Sequence, residues 1–238
     1  MNIPDDILTP AEAFALRLRE LFARRGYTRY EMNKFEEYDL YANNRKFFGG
    51  DIITFTGAGG RLMALRPDVT LSVVKNVVPE DGKRFARVYY HESVYRRAGL
   101  SREFRELKQC GVECIGGVGE AETANLLALA WESLTLFGGR CVLDVSHAGS
   151  AKKRDESDRI IARFKELCPE ADIRVDLDVP QDSDYYNGII FKGYVEGYPS
   201  EVLSGGRYDK LMKKFGKPYT AAGFAVYADM YRGGDSID

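Results

Sequence analysis

Two long β-type runs, Phe85–Tyr90 continued by Val94–Arg96 and Phe104–Ile115, constrain this chain more than any other feature. They read as strands flanking a basic, glycine-containing segment, Arg97–Arg102. The second run alternates: Arg105, Gln109 and Glu113 fall on one face, with Gly111 between two of them. Cys110, Val112 and Cys114 fall on the other, because side chains two apart on a strand share a face. A sheet built on such a pair has an apolar side that must be covered by helices and a polar floor on which a ligand can rest. Glycine at position 111 removes a side chain from that floor.

Helices that can cover the apolar side are present. Thr9-Pro10-Ala11-Glu12 predicts a capped start, with Thr9 as the cap, Pro10 in the first turn and Glu12 completing a capping box. Phe14, Leu18, Leu21 and Phe22 then fall on one stripe, and Arg24, Arg25 and Gly26 end the helix. Glu120–Phe137 is a second strong helix, and Asp158–Leu167 is amphipathic. Further helices are expected over Thr70–Val78 and Tyr208–Phe215.

Strands are expected over Tyr27–Asn33, Cys141–Val145, Ile173–Leu177, Gly188–Val195 and Glu201–Leu203, while Ala221–Tyr227 suits either strand or helix. Asp51–Thr56 and Arg61–Leu65 read as a hairpin around Gly57-Ala58-Gly59-Gly60, which lacks the Gly-Lys-Ser/Thr ending of a phosphate loop. Ser150–Ser157, without an apolar residue, reads as a loop. The layout is α+β, an antiparallel sheet flanked by helices, in one domain over residues 1–238.

Composition narrows the function. Lys plus Arg total 34 against 36 Asp plus Glu, a balance without the basic excess of a nucleic-acid binder. No apolar run is long enough for a membrane span, and the acidic start MNIPDDILTPAEA lacks the features of a signal peptide, so a cytoplasmic protein is expected. Cys110, Cys114, Cys141 and Cys168 form no Cys-x-x-Cys pair and read as buried thiols. The two histidines, His91 and His147, lie in unrelated segments and make neither a His-rich metal site nor a catalytic triad.

Polar residues gather in three further segments. Leu65-Arg66-Pro67-Asp68-Val69-Thr70 leads from a strand into a helix, where Asp68 or Thr70 can cap and the carboxylate can hold an ammonium; Thr70 is the expected cap. In Asp184-Tyr185-Tyr186-Asn187-Gly188, adjacent tyrosines on a strand would send only one ring toward a given pocket. Ser204-Gly205-Gly206-Arg207-Tyr208-Asp209 reads as a turn feeding a helix, with Arg207 beside any ligand that the glycines admit.

Taken in order, these segments resemble the catalytic core of histidyl-tRNA synthetase, a class II aminoacyl-tRNA synthetase fold. LRPDVT, SVYR followed by ELKQCGVE, DYYNG, and SGGRYD followed by AAGFAV resemble that family's motifs. The resemblance implies a histidine-shaped pocket. Asp68, Thr70 and Gln109 match positions that hold the α-amino group, Glu113 and Tyr186 those that read the imidazole, and Arg96 the group facing the carboxylate. Arg105, Gly111, Tyr185 and Arg207 would lie close to the ligand.

The departures fall on activation chemistry. Where the synthetase has Phe-Arg-x-Glu, this chain has Tyr95-Arg96-Arg97-Ala98. Gln181 and Met230 stand at positions where the synthetase carries arginines, and Asn33 replaces the motif 1 proline. Each lost electrostatic contact to the developing charge costs about 3–4 kcal/mol, or 10²–10³ in rate. Only about 35 residues separate the strand at Cys141–Val145 from DYYNG, so the insertion domain shrinks to about residues 147–172, and residues 1–238 are expected to hold no anticodon-binding domain.

That combination is similar to the regulatory subunits of ATP phosphoribosyltransferase, a synthetase-like family without aminoacylation. The resemblance implies no catalytic residue, no cofactor and no metal. It implies a short-form catalytic subunit as partner, L-histidine as feedback effector in histidine biosynthesis, a homodimer within a hetero-oligomer, and no tRNA. Two alternatives stay open, a protein that adenylates histidine and a scaffold whose pocket is a relic.

Overall fold

The structure is a computed structural model that describes residues 7–45, 51–97, 103–148, 151–176 and 185–233. Its backbone is an eight-stranded sheet, ordered β1-β5-β6-β11-β10-β9-β7-β8. The strands are β1 (Thr28–Arg29), β5 (Phe85–Arg97), β6 (Phe104–Gly116), β7 (Cys141–His147), β8 (Ile173–Asp176), β9 (Ile189–Val195), β10 (Leu203–Arg207) and β11 (Thr220–Tyr227). The six central strands are antiparallel. The edge strands β1 and β8 run parallel to their neighbours, so the sheet is mixed rather than purely antiparallel.

Helices α1 (Pro10–Arg24), α4 (Glu120–Thr135) and α5 (Ala151–Leu167) are the ones the amphipathic stripes require. The capping box forms, with the Glu12 backbone N–H donating to Thr9 Oγ1 and the Thr9 backbone N–H donating to Glu12. Phe14, Leu18 and Phe22 of α1 and Leu126, Leu127 and Leu134 of α4 are buried in one core cluster with Cys110, Val112 and Cys114, so the alternation in β6 sorts the two sides of the sheet as its sequence requires. All four cysteines are free and buried.

The opposite face carries a smaller layer. A second sheet, β2-β4-β3, pairs β2 (Phe35–Glu37), β3 (Thr54–Thr56) and β4 (Leu62–Leu65), and the hairpin between β3 and β4 turns through a 3-10 segment at Ala58–Gly60. Short helices α2 (Tyr38–Ala42), α3 (Val69–Asn76) and α6 (Asp209–Lys214) complete it. Tyr41, Ala64, Val73, Val88, Tyr90, Leu211 and Met212 make the buried cluster there. Arg66, fully buried, ties β4 to β5 by donating to Ser93 O, Asn33 O and Glu92 Oε2.

Four expectations need correcting. The stretch read as a loop, Ser150–Ser157, is helical from Ala151. Its Ala, Lys, Arg and Glu residues are good helix formers that extend α5 ahead of its apolar stripe, and Ser157 is buried against His147 Nδ1 at 3.2 Å. The segment read as a turn, Ser204–Arg207, is the central strand β10. Its glycines accept neighbouring rings, Gly205 beneath Phe224 and Phe191 and Gly206 beneath Tyr186. The first strand is only Thr28–Arg29. Tyr185 and Tyr186 precede β9 in irregular backbone, so strand alternation does not govern them.

Candidate functional site

On the face of the main sheet that carries the small sheet, a cavity of about 180 Å³ opens over β6 and β11. Pockets for drug-sized ligands run to about 300–1,000 Å³, so this one suits a single small metabolite. Asp68, Thr70, Arg96, Gln109, Glu113 and Tyr186 all line it, as does Tyr185.

The floor comes from strand register. Gln109 lies opposite Tyr227, Gly111 opposite Ala225, and Glu113 opposite Gly223. Glu113 is 2% exposed. It accepts hydrogen bonds from Tyr208 Oη at 2.6 Å and Thr70 Oγ1 at 2.7 Å. Burial pushes its carboxyl up to about 8, against the pull of those two hydroxyls, and the nearby Asp68 adds to the rise. Burial and Glu113 in turn hold Tyr208 well above the ordinary phenol range, so its proton stays available to donate.

Asp68 rather than Thr70 caps α3, since its Oδ1 accepts from the Leu71 backbone N–H at 2.8 Å. Thr70 lies in the first turn, where its hydroxyl is directed to Glu113. Burial raises the Asp68 carboxyl, opposed by the Leu71 N–H and then by the Arg96 and Arg66 guanidiniums. Arg96, on β5, lines the cavity without a hydrogen-bond or ion-pair partner among the described residues. The Gln109 amide, 6% exposed, likewise lines it with no protein partner among them. The Asp68 and Glu113 carboxylates, a cation without a hydrogen-bond partner among the described residues and a buried amide can together hold opposite charges of one small molecule.

Both tyrosines of the pair line the cavity, with ring centroids 4.7 Å apart. The expectation that only one could do so assumed a strand, and this backbone is not one. Arg105 is exposed and does not line the cavity. Gly111 does not line it either: a β-carbon there would strike the Tyr90 hydroxyl, so the glycine makes room for the Tyr90 ring rather than for a ligand. Arg207 is bound into a buried network with Asp209 Oδ2 at 2.8 Å and Glu156 Oε1 at 2.5 Å. Asn187 joins that network through the same Asp209 oxygen. Arg207 therefore holds the end of β10 to α5 and α6.

Tyr90, Ser204, Tyr208, Gly223, Phe224, Ala225 and Tyr227 complete the lining; Ser204, Tyr208 and Gly223–Ala225 lie in motifs marked from the sequence, but none of the seven was assigned to the site. The signal for three of them is the alternation of Gly223, Ala225 and Tyr227, legible only once Thr220–Tyr227 is taken as a strand. Met230, where the synthetase resemblance requires an arginine, packs its apolar side chain on the main core. Asn33 contributes only its carbonyl, to Arg66. Ala98, Gln181 and Asp184 lie outside the described residues.

Comparison with known proteins agrees with the fold. The sequence family described as histidyl-tRNA synthetase matches residues 6–153 and 148–230. The chain belongs to the histidyl-tRNA synthetase family. A relative named ATP phosphoribosyltransferase regulatory subunit, from Bacillus mycoides (strain KBAB4), is 27% identical over 297 aligned positions, covering 92% of this chain and 70% of the relative. That share of this chain is about 219 residues, so the relative carries roughly 78 aligned positions with no counterpart here.

Solved structures in the family share the fold. One described as an ATP phosphoribosyltransferase regulatory subunit/histidyl-tRNA synthetase from Bacillus halodurans superposes with a TM-score of 0.76 at 18% identity, over 94% of this chain and 78% of that one. A chain of an ATP phosphoribosyl transferase (HisG:HisZ) complex from Thermotoga maritima gives 0.69 at 14% identity, over 95% of this chain and 98% of that one.

Proposed function

We propose that this member of the histidyl-tRNA synthetase family is the regulatory subunit of ATP phosphoribosyltransferase, a non-catalytic partner of the short-form catalytic subunit in histidine biosynthesis. One combination carries the reading: relatives across nearly the whole chain bear that name, and the cavity keeps an amino-acid-sized polar lining while Met230 puts an apolar group at a cation position.

L-Histidine is the effector in this reading. The Arg96 guanidinium takes the ligand carboxylate. Asp68, Gln109 and the lone pairs of Thr70 Oγ1 take the ammonium. Glu113 and Tyr186 take the imidazole, with Tyr185 beside it. Feedback follows if histidine binds more tightly to the inhibited assembly than to the active one, since a ligand shifts an equilibrium only by its differential affinity.

The reading makes the chain one synthetase-like core, with the insertion at about residues 147–172 reduced to α5 and its flanks and no anticodon-binding domain within residues 1–238. The roughly 78 unmatched positions in the relative support a shortened chain. It makes the protein cytoplasmic, supported by free buried thiols and by the lack, among the described residues, of a helix long and apolar enough to cross a membrane. It makes the chain a homodimer within the hetero-oligomer and gives it no tRNA. A surface available for pairing is the outer side of the small sheet, where Phe35 and Phe55 stand exposed with ring centroids 5.7 Å apart.

The test is reconstitution. The chain should co-purify with the short catalytic subunit, raise its phosphoribosyltransferase activity, and make that activity sensitive to histidine. Excess histidine should also raise the melting temperature of the isolated chain. Histidine-dependent pyrophosphate exchange by the chain alone would overturn the non-catalytic reading. Absence of any complex with the catalytic subunit would overturn the partnership.

A further inference from the structure

We infer that Gly223 and Tyr208 are positioning residues for ligand selectivity: Gly223 clears the space that the Glu113 carboxylate occupies, and Tyr208 sets the direction in which it faces. The inference rests on the proposal that histidine occupies the cavity, and it concerns how the ring is told apart from other rings of similar size.

Glu113 and Gly223 are directly paired across β6 and β11. A β-carbon at position 223 would run into Glu113 Oε2 and would also come within 2.5 Å of the Val112 carbonyl oxygen. A side chain at 223 therefore displaces the carboxylate from its present position and presses on the β6 backbone as well. The carboxylate is also clamped. Thr70, from the first turn of α3, donates to Oε1, and Tyr208, from the junction of β10 and α6, donates to Oε2. Tyr208 is itself fixed by its backbone N–H to the Ala221 carbonyl at 2.8 Å. With one protein hydroxyl on each oxygen, the carboxylate cannot turn freely, and its remaining lone pairs are left to accept from a ring N–H of the proposed ligand. A ring without N–H would leave them unpaired, which is how a buried polar group produces selectivity.

The ionisable groups nearest Glu113 are Asp68 of α3, Tyr90 of β5, Tyr208, and Tyr185 and Tyr186 from the segment before β9. Asp68 raises the Glu113 carboxyl, while Tyr208 lowers it by donating to it.

The experiment is calorimetric titration of L-histidine into the full chain, wild type and Tyr208→Phe, each with and without Glu113→Ala, at several pH values. Above about pH 8, where Glu113 is ionised, Tyr208→Phe should weaken binding at least about tenfold, as for a lost hydrogen bond to a charged group. It should have less than a twofold effect once Glu113 is alanine, and it should move the pH midpoint of binding upward. Gly223→Ala should lose affinity as Glu113→Ala does. If it does not fold, judged by its circular dichroism melt, the Tyr208 cycle decides alone. Equal weakening by Tyr208→Phe in both backgrounds would mean that the phenol touches the ligand itself and would overturn the inference, as would unchanged affinity. Failure of the wild type to bind histidine would overturn the effector reading and this inference with it, whereas binding without coupling would overturn this inference alone.

Discussion

Thr70 Oγ1 lies 2.7 Å from Glu113 Oε1, joining the first turn of α3 to the middle strand of the cavity floor across 43 residues of sequence. The contact links the helix that Asp68 caps to the Glu113 carboxylate on the cavity floor. Thr70→Val keeps the shape and removes the donor. It should cost about 1–3 kcal/mol of stability through the unsatisfied oxygen and should weaken histidine binding. Denaturant unfolding and calorimetry on the same variant check both.

Asp68 has two separable duties. It caps α3 through its Oδ1, and it contributes negative charge to the cavity. Asp68→Asn keeps a competent cap and removes the charge, so stability should hold while histidine affinity falls. Asp68→Ala should lose both, with about 0.5–2 kcal/mol of stability lost with the cap. Equal histidine affinity in wild type and Asp68→Asn would remove the carboxylate from ammonium binding.

Arg96 faces the cavity and makes no hydrogen bond or close ion pair among the described residues, although its charge acts on Asp68, so its role should appear mainly in binding. Arg96→Met should change stability by no more than about 0.5 kcal/mol. It should also abolish the preference for histidine over histidinamide, which lacks the carboxylate. Retained discrimination between the two would place the carboxylate elsewhere.

The Glu113 carboxyl is raised by burial from the ordinary carboxylate range up to about 8. Between those values the folded chain holds a proton that the unfolded chain releases, so stability falls as pH rises through this window. Glu113→Gln removes the group and should flatten that part of the stability profile. Its melting temperature, relative to wild type, should rise between pH 6 and pH 8.5 (a difference the pH change alone does not cause). Parallel profiles for the two proteins would show that Glu113 is already ionised in the fold.

Arg207 and Asp209 form a pair in which both side chains are less than 10% exposed. Arg207→Met would leave Asp209 a buried, uncompensated charge and should cost about 3–5 kcal/mol. An effect of less than 1 kcal/mol in urea unfolding would contradict the structural role assigned to this arginine.

The sheet and its two-sided character were legible in the sequence because alternation and capping are local. Cys110, Val112 and Cys114 on one side and Gln109 and Glu113 on the other follow from strand geometry alone. So does the capped start of α1. The motif resemblance located seven lining residues, Tyr185 among them. The same local rules failed at Tyr185 and Tyr186, where backbone leaving the sheet escapes the two-residue period. They failed again at Ser204–Arg207, where glycines that usually mark a turn sit in a strand because neighbouring rings occupy the space above them.

The residues of this chain determined by themselves which side chains are polar floor and which are core, where the main helices start, and that the chain resembles an amino-acid-binding family. Only the tertiary structure decided that Thr70 serves Glu113 instead of capping, that Gly111 yields to Tyr90, that Arg207 is part of the framework, and that Gly223 makes room for the carboxylate. The reason is register. Glu113 and Gly223 meet because β6 and β11 pair at one offset among several. That offset is settled by burial of the whole sheet, which neither segment encodes alone.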